Sequence, residues 1–168
     1  MLTLLAKLLK ALNSNDSPAQ LSLALVIALF MGITPLWSVY NLIWLAVLLL
    51  VRVNLSVFFV AWGVFTVIAY LIDPLSASLG SWLLHLDSLQ PMWTDMYNNN
   101  VWRLLAFNNT LVLGSFVLSA LLAVPLFIVG YLLVVNYRRH LLERMRRSRL
   151  GLWLNSSRLF SIYQSLNN

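Results

Sequence analysis

The chain has no cysteine, only two histidines and only five acidic residues among its 168 residues. The absence of cysteine excludes disulfide bonds, thiol catalysis and cysteine metal sites. The few histidines and acids show no metal-ligand spacing, and no nucleophile motif accompanies them. The sequence therefore predicts a protein that is not an enzyme, with no catalytic residues, no metal site and no cofactor.

Charged residues are also scarce, at 10% of the chain, whereas 61% of the residues are hydrophobic. Soluble domains average about 25% charged and about 45–50% apolar residues. Together with a mean hydropathy of +0.83, this composition predicts an all-α integral membrane protein. The length allows about four membrane segments with short connections and no second domain.

The stretch from 17 to 54 contains two apolar runs, and the break between them holds Gly32, Thr34 and Pro35. A residue before proline is pushed away from helical dihedrals, so we expect a broken helical hairpin. Thr34 is expected to cap the second arm, with Pro35 in its first turn. Each arm rises only about 22–24 Å, against a hydrocarbon core about 30 Å thick. The arms are therefore either two short spans or one re-entrant hairpin.

The rest of the chain divides into an interfacial amphipathic helix with a turn, a span, an interfacial helix with a loop, a longer span, and a basic cytoplasmic helix with a tail. The bounds of these segments are 1–16, 55–72, 73–109, 110–136 and 137–168. The first span is expected to stop at Asp73 and Pro74, because proline has no N–H to continue the helix. Residues 17–136 together form the predicted membrane domain.

Basic residues near the ends of spans mark the cytoplasmic side of a membrane protein. Arg52, the N-terminal lysines and the arginines after Tyr137 are therefore expected on one side. The connection that holds Asp87 and Asp95 is expected on the other side. We predict a multi-pass protein with a cytoplasmic N-terminus and a cytoplasmic C-terminus.

Three groups of residues carry a resemblance to a known family. They are the break Gly32-Ile33-Thr34-Pro35, the link Arg52-Val53-Asn54-Leu55, and the run Phe107-Asn108-Asn109-Thr110 followed by Gly114-Ser115. With these motifs the chain resembles the bacterial membrane family of domain of unknown function 2062. Within that family it is similar to a gammaproteobacterial subgroup of small membrane proteins.

The resemblance implies a location in the bacterial inner membrane and brings no established activity with it. The subgroup tends to be encoded beside a large periplasmic protein similar to the AsmA-type lipid-transfer proteins. The resemblance therefore implies that the chain handles lipid, or serves as the membrane subunit of an envelope lipid-transfer assembly with an AsmA-like periplasmic partner.

The hairpin also suggests a candidate site for an anion or a lipid head group. A helix that starts at membrane depth presents free N–H groups and a positive dipole, as in transporters with discontinuous helices. The predicted site consists of Thr34, Arg52, Asn54 and Arg103, with the arginines as countercharge. The alternative is a packing scaffold in which the arginines reach head groups at span ends and Asn54 caps the next helix.

Two further surfaces stand out. Gly114, Ser115, Ser119 and Ala123 form a candidate helix-packing or partner face, because small residues at this spacing let another helix approach closely. Basic residues just after the last span are expected to bind anionic lipid or to fix topology, and not to bind nucleic acid. These residues are Arg138, Arg139, Arg144, Arg146, Arg147 and Arg149.

Three functions stay open on the sequence alone. The first is non-enzymatic lipid handling, alone or with the AsmA-like partner. The second is a self-contained transporter or channel for a small solute or a lipid-linked phosphate, which four thin segments would build as a homo-oligomer. The third is a purely structural assembly factor. Membrane lipids are an expected partner in each case.

Overall fold

The computed structural model describes residues 16–141, with side chains as far as residue 139. The predicted amphipathic helix near the N-terminus and most of the predicted basic tail lie outside these residues. Within residues 16–141 every regular element is a helix. The predicted all-α class is therefore confirmed for this part of the chain.

Six α-helices make up the described part of the chain. They are α1 (Pro18–Ile33), α2 (Val39–Leu50), α3 (Leu55–Leu84), α4 (Gln90–Asn98), α5 (Asn100–Leu104) and α6 (Thr110–Asn136). A 3₁₀ turn at Asp87–Leu89 precedes α4, and a π-helical turn at Tyr137–Leu141 follows α6. In the described residues, α3 and α6 are the helices long and apolar enough to cross a membrane.

Polar side chains set the starts of the three main helices. Ser17 and Gln20 form a capping box before α1, with Gln20 N donating to Ser17 Oγ at 3.2 Å. Asn54 Oδ1 and Asn109 Oδ1 each accept a bond of 3.0 Å from the first turn of α3 and of α6. Each cap satisfies an N–H that has no partner within its helix. The alternative role of Asn54 as a helix cap is confirmed.

Asp16 shows how the helices run relative to one another. Asn54, just before α3, donates from Nδ2 to Asp16 Oδ2 at 2.6 Å. Arg138, just after α6, donates from Nη2 to the Asp16 backbone carbonyl at 2.9 Å. Because Asp16 itself precedes α1, helices α1 and α3 run in the same direction and α6 runs against them. We call this end of the bundle the Asp16 end.

The hydrophobic core lies where α1, α3 and α6 meet. Leu21 and Ile27 of α1 and Phe58 of α3 are at most 2% exposed. Val134 of α6 and Leu48 of α2 belong to the same buried cluster. Helix α2 returns along α1 toward the Asp16 end; half of its side chains are exposed, and Trp44 and Val47 pack against the core cluster.

Glycines bring the two long helices into backbone contact. A Cβ atom on Gly114 would lie 1.7 Å from Ser76 O, and one on Gly80 would lie 1.9 Å from Thr110 O. Such distances are impossible for a real side chain, so only glycine fits at either position. Small residues allow this close approach between apolar helices.

Helix α3 does not stop at Asp73 and Pro74, so the predicted end of the span at 72 and the separate interfacial helix from 73 are wrong. Pro74 removes one hydrogen bond, but its fixed φ suits a helix. The turns beyond it are held by Ser76 and Gly80 against α6. Helix α3 is therefore about 45 Å long at 1.5 Å per residue.

Candidate functional site

The turn of the α1–α2 hairpin is a buried polar cluster. Helix α1 ends at Thr34, whose backbone is extended with φ −73° and ψ 145°. The Thr34 hydroxyl lies within hydrogen-bonding distance of the Phe30 carbonyl and 2.8 Å from Asn41 Oδ1. Thr34 is 3% exposed and Asn41 is 5% exposed. The two side chains therefore tie the end of α1 to the start of α2.

Ser38 caps α2, and the predicted cap by Thr34 with Pro35 in the first turn is wrong. Ser38 Oγ accepts a bond from Asn41 N at 3.3 Å, and α2 begins at Val39. Thr34 is instead the last residue of the first arm. Residues 35–38 reverse the direction of the chain. Thr34 takes no part in this reversal, because its backbone N–H and its hydroxyl both bond to Phe30 in α1.

The amide of Asn41 fits in only one orientation. Its Nδ2 donates to Pro35 O at 3.1 Å and to Leu36 O at 3.2 Å. A flipped amide would place its oxygen against these two carbonyl oxygens, which are acceptors themselves. Asn41 thus satisfies two carbonyls that have left the helix. The single hydroxyl proton of Thr34 is used inside the turn.

The turn reaches only part of the way along the long helices. A Cβ on Gly32 would lie 2.6 Å from Phe65 Cβ, and Trp62 Nε1 donates to Met31 O at 3.3 Å. Phe65 lies ten residues after Leu55, the start of α3. The contact is therefore about 15 Å along a helix of about 45 Å.

Aromatic rings pack around the inner side of the turn. The Phe30 and Trp44 rings stack with centroids 4.2 Å apart. The Phe116 ring of α6 lies 4.9 Å from Tyr40 and 5.7 Å from Phe30. Trp37, at the tip, is 97% exposed. The turn thus has a packed inner side and presents one indole ring outward.

The structure does not bring the four predicted anion-site residues together. Arg52 and Asn54 lie at the Asp16 end, just before α3, whereas Arg103 lies in α5 at the opposite end of the bundle. The length of α3, about 45 Å, separates them. The Arg103 guanidinium instead lies 5.2 Å from the centre of the Tyr97 ring. Thr34 sits between the two ends, so the four residues do not form one site.

The junction of Asp16, Asn54 and Arg138 was not predicted. It ties the starts of α1 and α3 to the end of α6 through the two bonds to Asp16 described above. These bonds join residues 38 and 122 positions apart in the chain. No local pattern marks such a junction, because polar residues beside apolar runs are equally compatible with solvated caps.

Part of the predicted anionic-lipid cluster lies in the described residues. Arg138 belongs to the Asp16 junction, and Arg139 is exposed beside it. The other predicted members lie outside the described residues; they are Arg144, Arg146, Arg147 and Arg149.

The predicted partner face is largely covered by the chain itself. Gly114 lies against α3, and both Ser115 and Ser119 are 0% exposed. Ala123 is half-buried. These small residues pack helices within the chain, as the first of the two predicted roles requires. They leave no open surface for a second protein at Gly114, Ser115 or Ser119.

The chemistry that the turn offers is hydrogen bonding and apolar contact. Residues 34–41 carry two aliphatic hydroxyls, one carboxamide and two aromatic rings with polar atoms, and they include no charged residue. In the described part of the chain, no group of three or more His, Cys, Asp or Glu residues is placed to hold a metal ion.

Comparison with known proteins gives one relative and one family. An uncharacterized protein of Treponema pallidum (strain Nichols) is 28% identical over 148 residues, which cover 88% of this chain and 91% of the relative. No solved structure matches the chain. A family model described as an uncharacterized protein conserved in bacteria matches residues 3–143. The resemblance found in the sequence is therefore confirmed, and the chain belongs to the bacterial family DUF2062.

Proposed function

We propose that this protein is a multi-pass protein of the bacterial inner membrane, with α3 and α6 as its full crossings. Only 17% of the most apolar stretch of each helix is buried inside the bundle. The core helix of a soluble protein would be mostly buried. Most of the apolar surface of both helices is thus exposed, and soluble monomers do not expose so large an apolar surface to water.

The charges support an orientation with both chain ends in the cytoplasm. Of the four arginines in residues 16–141, Arg52, Arg138 and Arg139 lie at the Asp16 end. Asp87 and Asp95 lie in the connection at the opposite end. Because basic residues favour the cytoplasmic side, the Asp16 end faces the cytoplasm.

The depth of the hairpin turn is the observation that carries the functional proposal. Gly32 meets α3 at Phe65, about 15 Å from the start of that helix, and Phe30 meets Phe116 of α6, about 30 Å from the end of that helix at Asn136. The turn therefore lies inside the bundle, short of the far ends of α3 and α6. Both arms of the hairpin connect to the Asp16 end. We infer a re-entrant hairpin that enters from the cytoplasmic side and turns back before it reaches the opposite end of the bundle.

A hairpin of this kind is shorter than the two full crossings beside it. Apolar segments shorter than the bilayer thin it locally. The exposed indole of Trp37 also brings a polar N–H group to the level of the turn. Both effects lower the barrier for moving or extracting a lipid beside the hairpin. As the function we propose non-enzymatic lipid handling. The family resemblance, and not the geometry, adds the proposal that the chain is the membrane subunit of an envelope lipid-transfer assembly with an AsmA-like periplasmic partner.

Cysteine accessibility tests the topology, because the chain has no native cysteine. Single cysteines replace Trp37, Arg52 and Asp95, and intact cells and inverted vesicles are labelled with a membrane-impermeant maleimide. Trp37→Cys is the informative position because that side chain is 97% exposed. Protection of Trp37→Cys from both sides, with Arg52→Cys and Asp95→Cys labelled from opposite sides, is the expected result. Labelling of Trp37→Cys from the Asp95 side would mean two full spans.

Lipid movement is measured with the full chain in vesicles of phosphatidylethanolamine and phosphatidylglycerol. A fluorescent phospholipid is quenched by dithionite, and the fraction reached reports exchange between leaflets. We expect faster exchange than in protein-free vesicles and a slower rate for Trp37→Ala. Tyr131→Ala removes a 41% exposed aromatic ring from α6 and is the matched control. Equal exchange with and without protein would contradict lipid handling and favour a structural assembly factor.

A further inference from the structure

The glycines in the described part of the chain fall into two groups. Four of them sit where two helices touch, since an added Cβ would lie 3.0 Å or less from an atom of another helix; they are Gly32, Gly80, Gly114 and Gly130. Gly63, in the first third of α3, is different. No atom lies within 4 Å of the Cβ it would carry.

Gly63 lies at the bottom of a notch on the outer face of α3. Glycine destabilises a helix relative to alanine, so a helical glycine needs a packing reason. Phe59 and Val67, one turn away on either side, are 58% and 67% exposed, and Tyr70 on the same face is 77% exposed. These side chains stand above the exposed backbone at Gly63. Nothing within the described chain fills the space between them.

We propose that Gly63 is the point where α3 crosses α3 of a second copy of this chain. The proposal rests on the membrane location proposed above, because two copies in one bilayer then have the same orientation. In such a pair a two-fold axis places each residue opposite itself at the same depth. One notch per helix is therefore enough for the backbones to meet at Gly63. A different partner would need its own small residue at that depth.

The outer face of α3 is large enough for this contact. With aromatic side chains of roughly 150–250 Å² and the exposed fractions given above, Phe59 and Tyr70 offer on the order of 300 Å². Leu55, Val67 and Leu71 on the same face are 53%, 67% and 80% exposed. Together the face offers on the order of 600 Å² per copy, close to the ~800 Å² per partner of a standard interface.

Self-association of the full chain tests the proposal. Donor- and acceptor-labelled protein is reconstituted in phosphatidylethanolamine and phosphatidylglycerol vesicles, and energy transfer is followed as the lipid-to-protein ratio rises. Gly63→Leu fills the notch and is expected to weaken the pair by about tenfold or more, equivalent to about 1.4 kcal/mol. Ala120→Leu places the same leucine side chain at an exposed site on α6 and is expected to change nothing. Unfolding midpoints of both variants show that they fold.

Disulfide cross-linking gives a second measurement in native membranes. Val67→Cys is expected to form a covalent dimer on oxidation. Val124→Cys is 65% exposed and lies at a matching depth, twelve residues before the end of α6 at Asn136 as Val67 lies twelve residues after the start of α3, and it is expected to stay monomeric. A monomeric wild type, an undiminished Gly63→Leu pair or equal cross-linking at both cysteines would each overturn the dimer. The labelling of Arg52→Cys and Asp95→Cys separately reports whether α3 crosses, so a failed dimer and a failed membrane assignment are distinguishable.

Discussion

Asn41 joins more polar groups than any other residue of the hairpin turn. Its buried side chain contacts the Thr34 hydroxyl and the carbonyls of Pro35 and Leu36. Asn41→Ala removes the donor to the Pro35 and Leu36 carbonyls and leaves the Thr34 hydroxyl with the Phe30 carbonyl alone. We expect it to lower the free energy of unfolding by about 2–4 kcal/mol. Chemical unfolding in detergent micelles, followed by tryptophan fluorescence, measures the change.

Two other substitutions separate hydrogen bonding from packing at this position. Asn41→Asp keeps the shape but turns an acceptor toward two carbonyl oxygens, so we expect it to be at least as destabilising as Asn41→Ala. Asn108→Ala removes an exposed amide and should change stability by less than about 0.5 kcal/mol. If Asn41→Asp unfolded like the wild type, the described orientation of the amide would be refuted.

Ala106 is the described residue other than glycine with a positive φ, at 52°. It reverses the chain between α5 and α6 and lets Phe107 turn inward, where it is 2% exposed and stacks on Trp93. The left-handed region is unfavourable for alanine and free of strain for glycine. We expect Ala106→Gly to raise the free energy of unfolding by about 0.5–1 kcal/mol.

The same substitution elsewhere should act in the opposite direction. Ala120→Gly, in the regular helix α6, is expected to lower the free energy of unfolding by about 1 kcal/mol. Thermal unfolding of the two variants side by side checks both signs. A loss of stability in Ala106→Gly would contradict the left-handed backbone at that residue.

The cap of α3 was within reach of the sequence, whereas the cap of α2 and the polar turn were not. Asn54 caps α3 because its side chain reaches only its own helix start, so local order along the chain is sufficient. Thr34 binds Asn41, seven residues away, and that pairing depends on how far the second arm turns. The residues between them have no strong turn pattern. Asn41 therefore was not assigned to the site.

At the scale of elements, the contact between α3 and α6 should be the part least tolerant of added volume. A methyl group on Gly80 or Gly114 would collide with backbone atoms, which cannot rotate away. We expect Gly80→Ala and Gly114→Ala each to lower the free energy of unfolding by about 2–3 kcal/mol. Unfolding in detergent micelles measures both.

Gly130→Ala is the internal control for this prediction. Its Cβ would lie 3.0 Å from Leu25 Cδ1, the mobile end of a side chain. Leu25 can shift, and alanine favours the helix, so we expect a change of less than about 1 kcal/mol. Equal losses at Gly114 and Gly130 would argue against direct backbone contact between α3 and α6.

Two prolines in this chain have opposite outcomes, and the difference is tertiary. Thr34 before Pro35 leaves the helix and buries its hydroxyl in the turn. Asp73 before Pro74 stays helical, because α6 packs against the turns that follow. The sequence treats the two dipeptides alike, since the rule for a residue before proline is local. The length of α3 was therefore missed.

At the scale of the whole molecule, the sequence predicted the helical class, the final long helix and a common end for Arg52 and the arginines after Tyr137, but it wrongly grouped Arg52 with Arg103 in one site. Composition and run length are enough for the first, because apolar runs of this size have few alternatives. Arg52 and Arg103 both flank apolar runs, yet they lie at opposite ends of α3. Their separation follows from the direction of each helix, which no local pattern contains.

The orientation of the molecule leads to a direct prediction. Alkaline phosphatase fused after Asp95 is expected to be active, because that connection lies at the end opposite to Arg52, Arg138 and Arg139. Green fluorescent protein fused after Asn168 is expected to fluoresce, which it does only in the cytoplasm. An inactive phosphatase after Asp95 would contradict the proposed orientation. An active phosphatase after Asp95 together with no fluorescence after Asn168 would contradict an even number of crossings.

The Asp16 junction also sets a limit on when this protein can be complete. Arg138 leaves the ribosome 122 residues after Asp16, a delay of roughly 6–25 s at the usual rates of synthesis. During that interval the hydrogen bond from Asn54 to Asp16 already joins the start of α3 to the start of α1. The hydrogen bond from Arg138 to Asp16 closes a loop that contains nearly the whole described chain. The conformational entropy of that loop is therefore lost last. A nascent chain that ends before Arg138 would contain every apolar helix of the bundle and could not form the bond from Arg138 to Asp16.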